Sequence, residues 1–199
     1  MKIPFIDLQK QYQEYKVEIN SAIQNVLNSS QYIMGPDVCE LEDNLSKYTG
    51  SNNVIACSSG TDALLLALMA IDIKPGDEII TTPFSFIATA EVISLLGAKP
   101  VFVDIELDTY NINHLLIEEK ITKKTKAIIC VHIAGYPTDV DKIKKLANKN
   151  KLFLIEDCSQ AHGAKIKDKY VGSFGDISVW SFCNDKIIST GGEGGMISS

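Results

Sequence analysis

The sequence predicts an α/β domain built on a mostly parallel sheet of seven strands, with helices on both faces. Three observations predict it. Seven short apolar runs follow residue 50, several of them apolar on both faces, as strands covered on two sides must be. Helical segments separate most of these runs, so neighbouring strands are joined by right-handed crossovers. No repeat or low-complexity stretch interrupts the alternation.

Before the sheet, residues 8–28 carry Tyr12, Tyr15, Ile19, Ala22, Ile23 and Val26 at a helical period, which predicts one helix. The turn-like SSQYIMGP follows, then a second helix over 37–48 with Asp37 near its start. The strands are VIAC (54–57), EIITT (78–82), PVFVD (100–104), AIICV (127–131), LFLIE (152–156), ISVWSF (177–182) and GMIS (195–198). Helices are expected between them over 61–71, 85–96, 112–121 and 140–150. The division is an N-terminal helical segment over 1–50 and a large domain over 51–199. The sequence ends on a predicted strand with no closing helix, and is expected to be cut short of a complete protein.

Composition narrows the function. The 199 residues are 45% hydrophobic and 22% charged, ordinary for a globular domain able to bury a core. A net charge of −6, with no dominant basic face, argues against nucleic acid as partner. Five cysteines, an odd number without CxxC spacing, fit reduced thiols in a cytoplasmic protein better than a disulfide framework. His114, His132 and His162 lack ligand spacing, so no metal is expected. No stretch approaches the length of a membrane span, and no membrane partner is expected.

In open parallel sheets, ligands bind beyond the carboxyl ends of the strands. After VIAC, the residues Ser59, Gly60 and Thr61 lead directly into a helix, where they can cap it or present amides and a hydroxyl to an anion. After EIITT, Phe84 or Phe86 can stack on a flat ligand or pack the core. Asp157 ends the LFLIE strand, as a cap, a metal ligand or the partner of a protonated ring nitrogen, with Gln160 and His162 within reach of the same mouth. ISVWSF delivers Ser181 and then Lys186, ahead of a glycine turn over 191–195. A lysine drawn into a partly buried cleft becomes a usable nucleophile toward an aldehyde, whereas one at the surface merely snorkels. Each feature alone has a plain structural explanation. Together, a lysine, a strand-end carboxylate, a hydroxyl-rich helix start, a further serine and an aromatic plate are the parts needed to hold pyridoxal phosphate.

These motifs carry a resemblance along essentially the whole chain: IPFIDLQKQY, YIMGPDVCELE, VIACSSGTDALLLAL, KPGDEIITTPFSFIATA, AKPVFVDI, VHIAGYPTDVDKI, IEDCSQAHGA and SFCNDKIISTGGEGGM. The sequence resembles the DegT/DnrJ/EryC1/StrS family of fold-type-I pyridoxal-phosphate aminotransferases, which act on nucleotide-linked keto sugars. The resemblance implies that Lys186 is the Schiff-base lysine and Asp157 the acid on the pyridine nitrogen, with Gln160 near the ring's phenolic oxygen. It implies Gly60, Thr61 and Ser181 as phosphate ligands with Ser59 nearby, and Phe86 against the ring face. It also implies glutamate as amino donor, a homodimer, and a small C-terminal domain that these residues do not contain. The segment before the lysine is CND, and Ile187 follows it where the family commonly has asparagine.

Three other readings compete. The family's sugar dehydratases carry histidine in place of the lysine, so Lys186 counts against that branch. A truncated or regulatory homologue without turnover is a second reading. A nicotinamide enzyme is the third, and the absence of GxGxxG after the first strand counts against it.

Overall fold

The computed structural model describes residues 4 and 6–199. Parts of the 1–50 segment and of the IPFIDLQKQY motif, at residues 1–3 and 5, lie outside the described residues. The elements run α1 (Leu8–Glu14), α2 (Lys16–Ser29), α3 (Pro36–Thr49), β1 (Val54–Cys57), α4 (Gly60–Ala70), β2 (Glu78–Thr81), α5 (Ala88–Leu95) and β3 (Lys99–Phe102). They continue with β4 (Thr125–Val131), α6 (Val140–Asn150), β5 (Phe153–Asp157), β6 (Lys165–Ile166), β7 (Lys169–Tyr170), β8 (Ile177–Ser181) and β9 (Gly195–Ser198). The chain divides into two compact units, residues 1–45 and residues 46–199.

In the first unit, the single helix expected over 8–28 is two. Tyr15, at φ −107° and ψ 18°, separates α1 from α2, yet its N–H still reaches the Gln11 carbonyl and its carbonyl still accepts from Ile19 N–H. The i→i−4 ladder therefore continues through a bend. Apolar periodicity reports the ladder and is blind to one residue leaving helical geometry.

In the second unit, seven strands form one sheet in the order β1-β9-β8-β5-β4-β2-β3. The pairs β2–β3, β2–β4, β4–β5 and β5–β8 are parallel, and β9 runs antiparallel to both its neighbours, β1 and β8. The alternation of β4 shows why both faces are apolar. Ala127 and Ile129 face one core with Ile79, Ile155 and Val179, under α4 and α5. Ile128 and Cys130 face the other with Ile80 and Leu154, under α6. From α6, Val140, Ile143 and Ala147 enter this second core at steps of three and four, the inward stripe of an amphipathic helix.

The helix expected over 112–121 is absent. In its place stand two 3₁₀ turns, His114–Leu116 and Glu118–Lys120. Ile112 is taken up in a bridge to Ile105, and the Asn113 side chain accepts from Leu115 N–H, which favours a tight turn at that point. Ile112 and Ile117 are both buried, so the apolar signal was real but belonged to an anchored loop. The hairpin β6–β7 was not expected, since two-residue strands carry no readable period.

The end of β5 is fixed from below the sheet. Glu156, fully buried, takes hydrogen bonds from His132 Nε2 (3.1 Å), Gly172 N (2.9 Å), Phe174 N (2.8 Å) and Gly175 N (2.5 Å). Four donors match the acceptor capacity of a carboxylate and offset the cost of burying its charge. Thr138 N–H donates to His132 Nδ1 at 3.0 Å, which leaves Nε2 to carry the proton that Glu156 accepts. Gly172 sits at φ +85°, and a Cβ there would lie 2.5 Å from the Trp180 ring, so only glycine lets this turn close over Glu156.

Burial alone would push Glu156 up, but the hydrogen bonds from His132 and from the backbone N–H groups of Gly172 and Gly175 outweigh it and hold the carboxyl below its ordinary value. A depressed folded-state value means the stabilisation is complete above the unfolded value, near 4.3, and is lost as pH falls through the folded one. His132→Ala should therefore cost about 2–4 kcal/mol at neutral pH in a urea titration. The difference from wild type should shrink as the pH is taken below about 4.

Candidate active site

A cavity of about 520 Å³ opens at the carboxyl ends of the parallel strands, and residues from every side of it come from the second unit. Ser59, Gly60 and Thr61 enter it from the turn between β1 and α4. Phe86 comes from the segment after β2, Asp157 and Gln160 from the end of β5, and Ser181 and Lys186 from β8 and the loop beyond it. The eight residues to which the family resemblance gives a cofactor role thus line one space.

At the start of α4, Ser59 is an N-cap: its Oγ accepts from Asp62 N–H at 3.0 Å. The Asp62 carboxylate also takes the Ser58 and Ser59 hydroxyls, so Ser59 is committed to the helix through its side chain. The amides of Gly60 and Thr61 have no acceptor among the described residues. They point free donors at the positive end of an eleven-residue helix, which favours an anion. Ser181 is packed directly against Gly60.

Asp157 is 4% exposed and faces the opposite side of the sheet from Glu156, as the strand period requires. Thr89 Oγ1 donates to Asp157 Oδ2 at 3.2 Å and Ser159 N–H to Oδ1 at 3.1 Å. Two donors leave acceptor positions unfilled on a carboxylate that lines the cavity. Lys186 has a side chain only 18% exposed, and its Nζ lies 3.0 Å from Asp185 Oδ2. The lysine's hydrogen bond and charge hold the Asp185 carboxyl below its ordinary value. Gln160 is oriented by Ala134 N–H, which donates to its Oε1 at 2.7 Å.

Of the two phenylalanines, Phe86 borders the cavity, whereas Phe84 pairs with Tyr110 at a ring distance of 5.7 Å. His162 does not line the cavity. It is buried against Trp180 (5.4 Å) and Phe182 (5.8 Å), and neither ring nitrogen has a hydrogen-bond partner. Sequence adjacency to Gln160 suggests the mouth; the apolar side chains of Trp180 and Phe182 hold the ring instead.

The sequence did not point to Thr89, Asp185 or Glu193. Thr89 lies 68 residues from the carboxylate it donates to, and nothing local marks it. Glu193 lines the cavity and accepts from Cys183 Sγ at 3.2 Å, a bond that pushes the thiol up. His132, Glu156 and Cys158 lie close enough to suggest a metal site, but both histidine nitrogens and both Glu156 oxygens are already engaged.

The profile of the DegT/DnrJ/EryC1/StrS aminotransferase family matches residues 13–199. The chain belongs to this family. It is 45% identical over 195 residues to the UDP-2-acetamido-2-deoxy-3-oxo-D-glucuronate aminotransferase of Pseudomonas aeruginosa, covering 98% of this chain and 54% of that protein. Among solved structures, S. venezuelae DesV in complex with a ketimine intermediate superposes with a TM-score of 0.97 at 35% identity, over all of this chain and 53% of that one. The ntda protein of Bacillus subtilis with bound cofactor PMP gives 0.92 at 36% identity, over all of this chain and 45% of that one. The chain spans about half the length of the relatives it matches. Its α/β architecture is that of fold-type-I aminotransferases in this family. Among the described residues, no helix is long and apolar enough to cross a membrane.

Burial drives the His162 imidazole down to about 4, and the charge of Lys186 acts in the same direction while the nearby Ser181 backbone opposes it. A histidine with a depressed folded-state value stays neutral at pH 7. It weakens the fold as pH drops from the unfolded value near 6.5 toward the folded one. Nitrogen-correlated NMR of the imidazoles should place the His162 midpoint near pH 4; a midpoint at the ordinary value would mean the ring is open to water.

Proposed function

We propose that the protein is a pyridoxal-phosphate-dependent aminotransferase that delivers an amino group to a nucleotide-linked keto sugar. The observation that carries this reading is the convergence of the Lys186 amine, the buried Asp157 carboxylate and the free amides of Gly60 and Thr61 on one cavity. The donor set suits the cofactor: an anion receptor for a phosphate, a carboxylate with unfilled acceptor positions for a ring N–H, and an amine for an aldehyde.

When bound, pyridoxal phosphate supplies an aldehyde and an electron-poor ring that accepts the charge developing at the donor's α-carbon. Lys186 Nζ would be the nucleophile that holds the aldehyde and, once free, the base that moves the proton at the donor's α-carbon. Before either role, the ammonium must give up its proton and its ion pair with Asp185. Asp157 would keep a proton on the ring nitrogen, and Thr89 and Ser159 hold the carboxylate in place for it. Gly60, Thr61 and Ser181 would receive the phosphate, with Ser59 bracing the turn, while Phe86 would serve the ring face and Gln160 the phenolic oxygen. The proposal extends to glutamate as amino donor, a homodimer as the working assembly and the cytoplasm as its location. The donor and the dimer rest on the family resemblance, and the location on an odd set of five cysteines without disulfide-framework spacing.

The test is reductive trapping on the full-length protein. After incubation with pyridoxal phosphate and borohydride, digestion should locate the added mass on Lys186 alone, and Lys186→Ala should abolish it. Adducts scattered over surface lysines would sink the assignment. Asp157→Asn should retain the Lys186 adduct yet lower transamination on the order of 10²-fold or more, because the ring can no longer hold the developing charge.

A further inference from the structure

The first turn of α4 lies unusually close to the strands beneath it. Built onto Gly195, a Cβ would meet Ser59 O, stand 2.5 Å from Ser59 C and 2.8 Å from Gly60 N, all backbone atoms. Built onto Gly60, it would stand 2.6 Å from Ser181 Cβ and 3.1 Å from Ser181 Oγ. Gly195 is also the residue through which the sheet joins the two sides of this corner, since it pairs with both Cys57 of β1 and Ser181 of β8. The Ser59–Gly60 peptide therefore rests on a strand position that has no side chain, while Gly60 presents none to Ser181.

We propose that Gly195 is a positioning residue for the anion receptor: its missing side chain sets how deeply the α4 N-terminus seats on the sheet. That depth brings the Gly60 and Thr61 amides level with the Ser181 hydroxyl. This rests on the reading of that turn as the phosphate holder, and adds a residue that touches no ligand. A methyl group at 195 meets backbone on its contact side, so relief requires the helix start to lift. Lifting it withdraws the amides from Ser181 without disturbing Lys186 or Asp157, which stand on other elements. The other glycines of the same run provide the contrast. Cβ atoms at Gly191 and Gly192 would meet nothing within 4 Å, and the atoms nearest one at Gly194 belong to the side chains of Thr190 and Phe182, not to backbone.

The experiment measures dissociation constants of the full-length apoprotein for pyridoxal phosphate and for pyridoxal, which lacks the phosphate, by quenching of tryptophan fluorescence. Wild type should prefer the phosphorylated ligand. Gly195→Ala should weaken pyridoxal phosphate by roughly 10- to 100-fold, the loss expected for charge-assisted hydrogen bonds, and leave pyridoxal unchanged. Gly191→Ala and Gly192→Ala should match wild type on both. A Gly195→Ala protein that does not fold, by circular dichroism, also overturns the inference, since Gly195 would then hold the sheet itself and not the depth of one helix start. A Gly195→Ala protein that keeps the preference, or loses both ligands equally, overturns the inference. A wild type that binds pyridoxal as tightly as its phosphate overturns the reading of the receptor itself.

Discussion

Two carboxylates in succession at the end of the central strand β5 set the terms for everything around them. Strand alternation sends Glu156 to one face of the sheet and Asp157 to the other. Both are buried, so both must be provided for. Beneath the sheet, His132 and three amides of the turn over 172–175 satisfy Glu156 completely, while above it Thr89 and Ser159 satisfy Asp157 only in part. A fully compensated charge anchors structure, and a partly compensated one has acceptor capacity left for a ligand. The same residue type thus becomes strut or site according to the donors it meets.

The division of labour follows the two cores. On the face under α6, Glu156 stands beside Cys130 of β4 with its acceptor positions filled. The face under α4 and α5 opens at the carboxyl ends of the strands, where the helix starts approach the sheet. This is where backbone donors, small residues and the Lys186 loop collect. Electrostatics there is local: an acidic chain still presents free amides at a helix start and an amine held by one aspartate.

Much of this was legible in the sequence because it is written in short windows. Runs such as AIICV and LFLIE declare buried strands, and the stripe of Val140, Ile143 and Ala147 declares a helix, within a few residues each. The exceptions were also local in cause. Tyr15 bends a helix without breaking its hydrogen-bond ladder, and Ile112 gives its apolar signal to a bridge instead of a helix. The eight candidate site residues could be chosen because each ends a strand or comes soon after one. Parallel strands deliver their carboxyl ends, and the loops leaving them, to one edge of the sheet.

The sequence by itself determined the alternation of strands and helices, the burial of both sheet faces and which side chains could carry chemistry at the strand ends. Only the tertiary structure decided their partners: Thr89 on Asp157, Asp185 on Lys186, His162 withdrawn into the apolar contacts of Trp180 and Phe182, and Gly195 beneath the Ser59–Gly60 peptide. The physical reason is range. Periodicity and capping act over one or two turns of chain. The donors that complete a carboxylate, or the methyl group that must be absent, are set by strand order and by how closely a helix packs on the sheet.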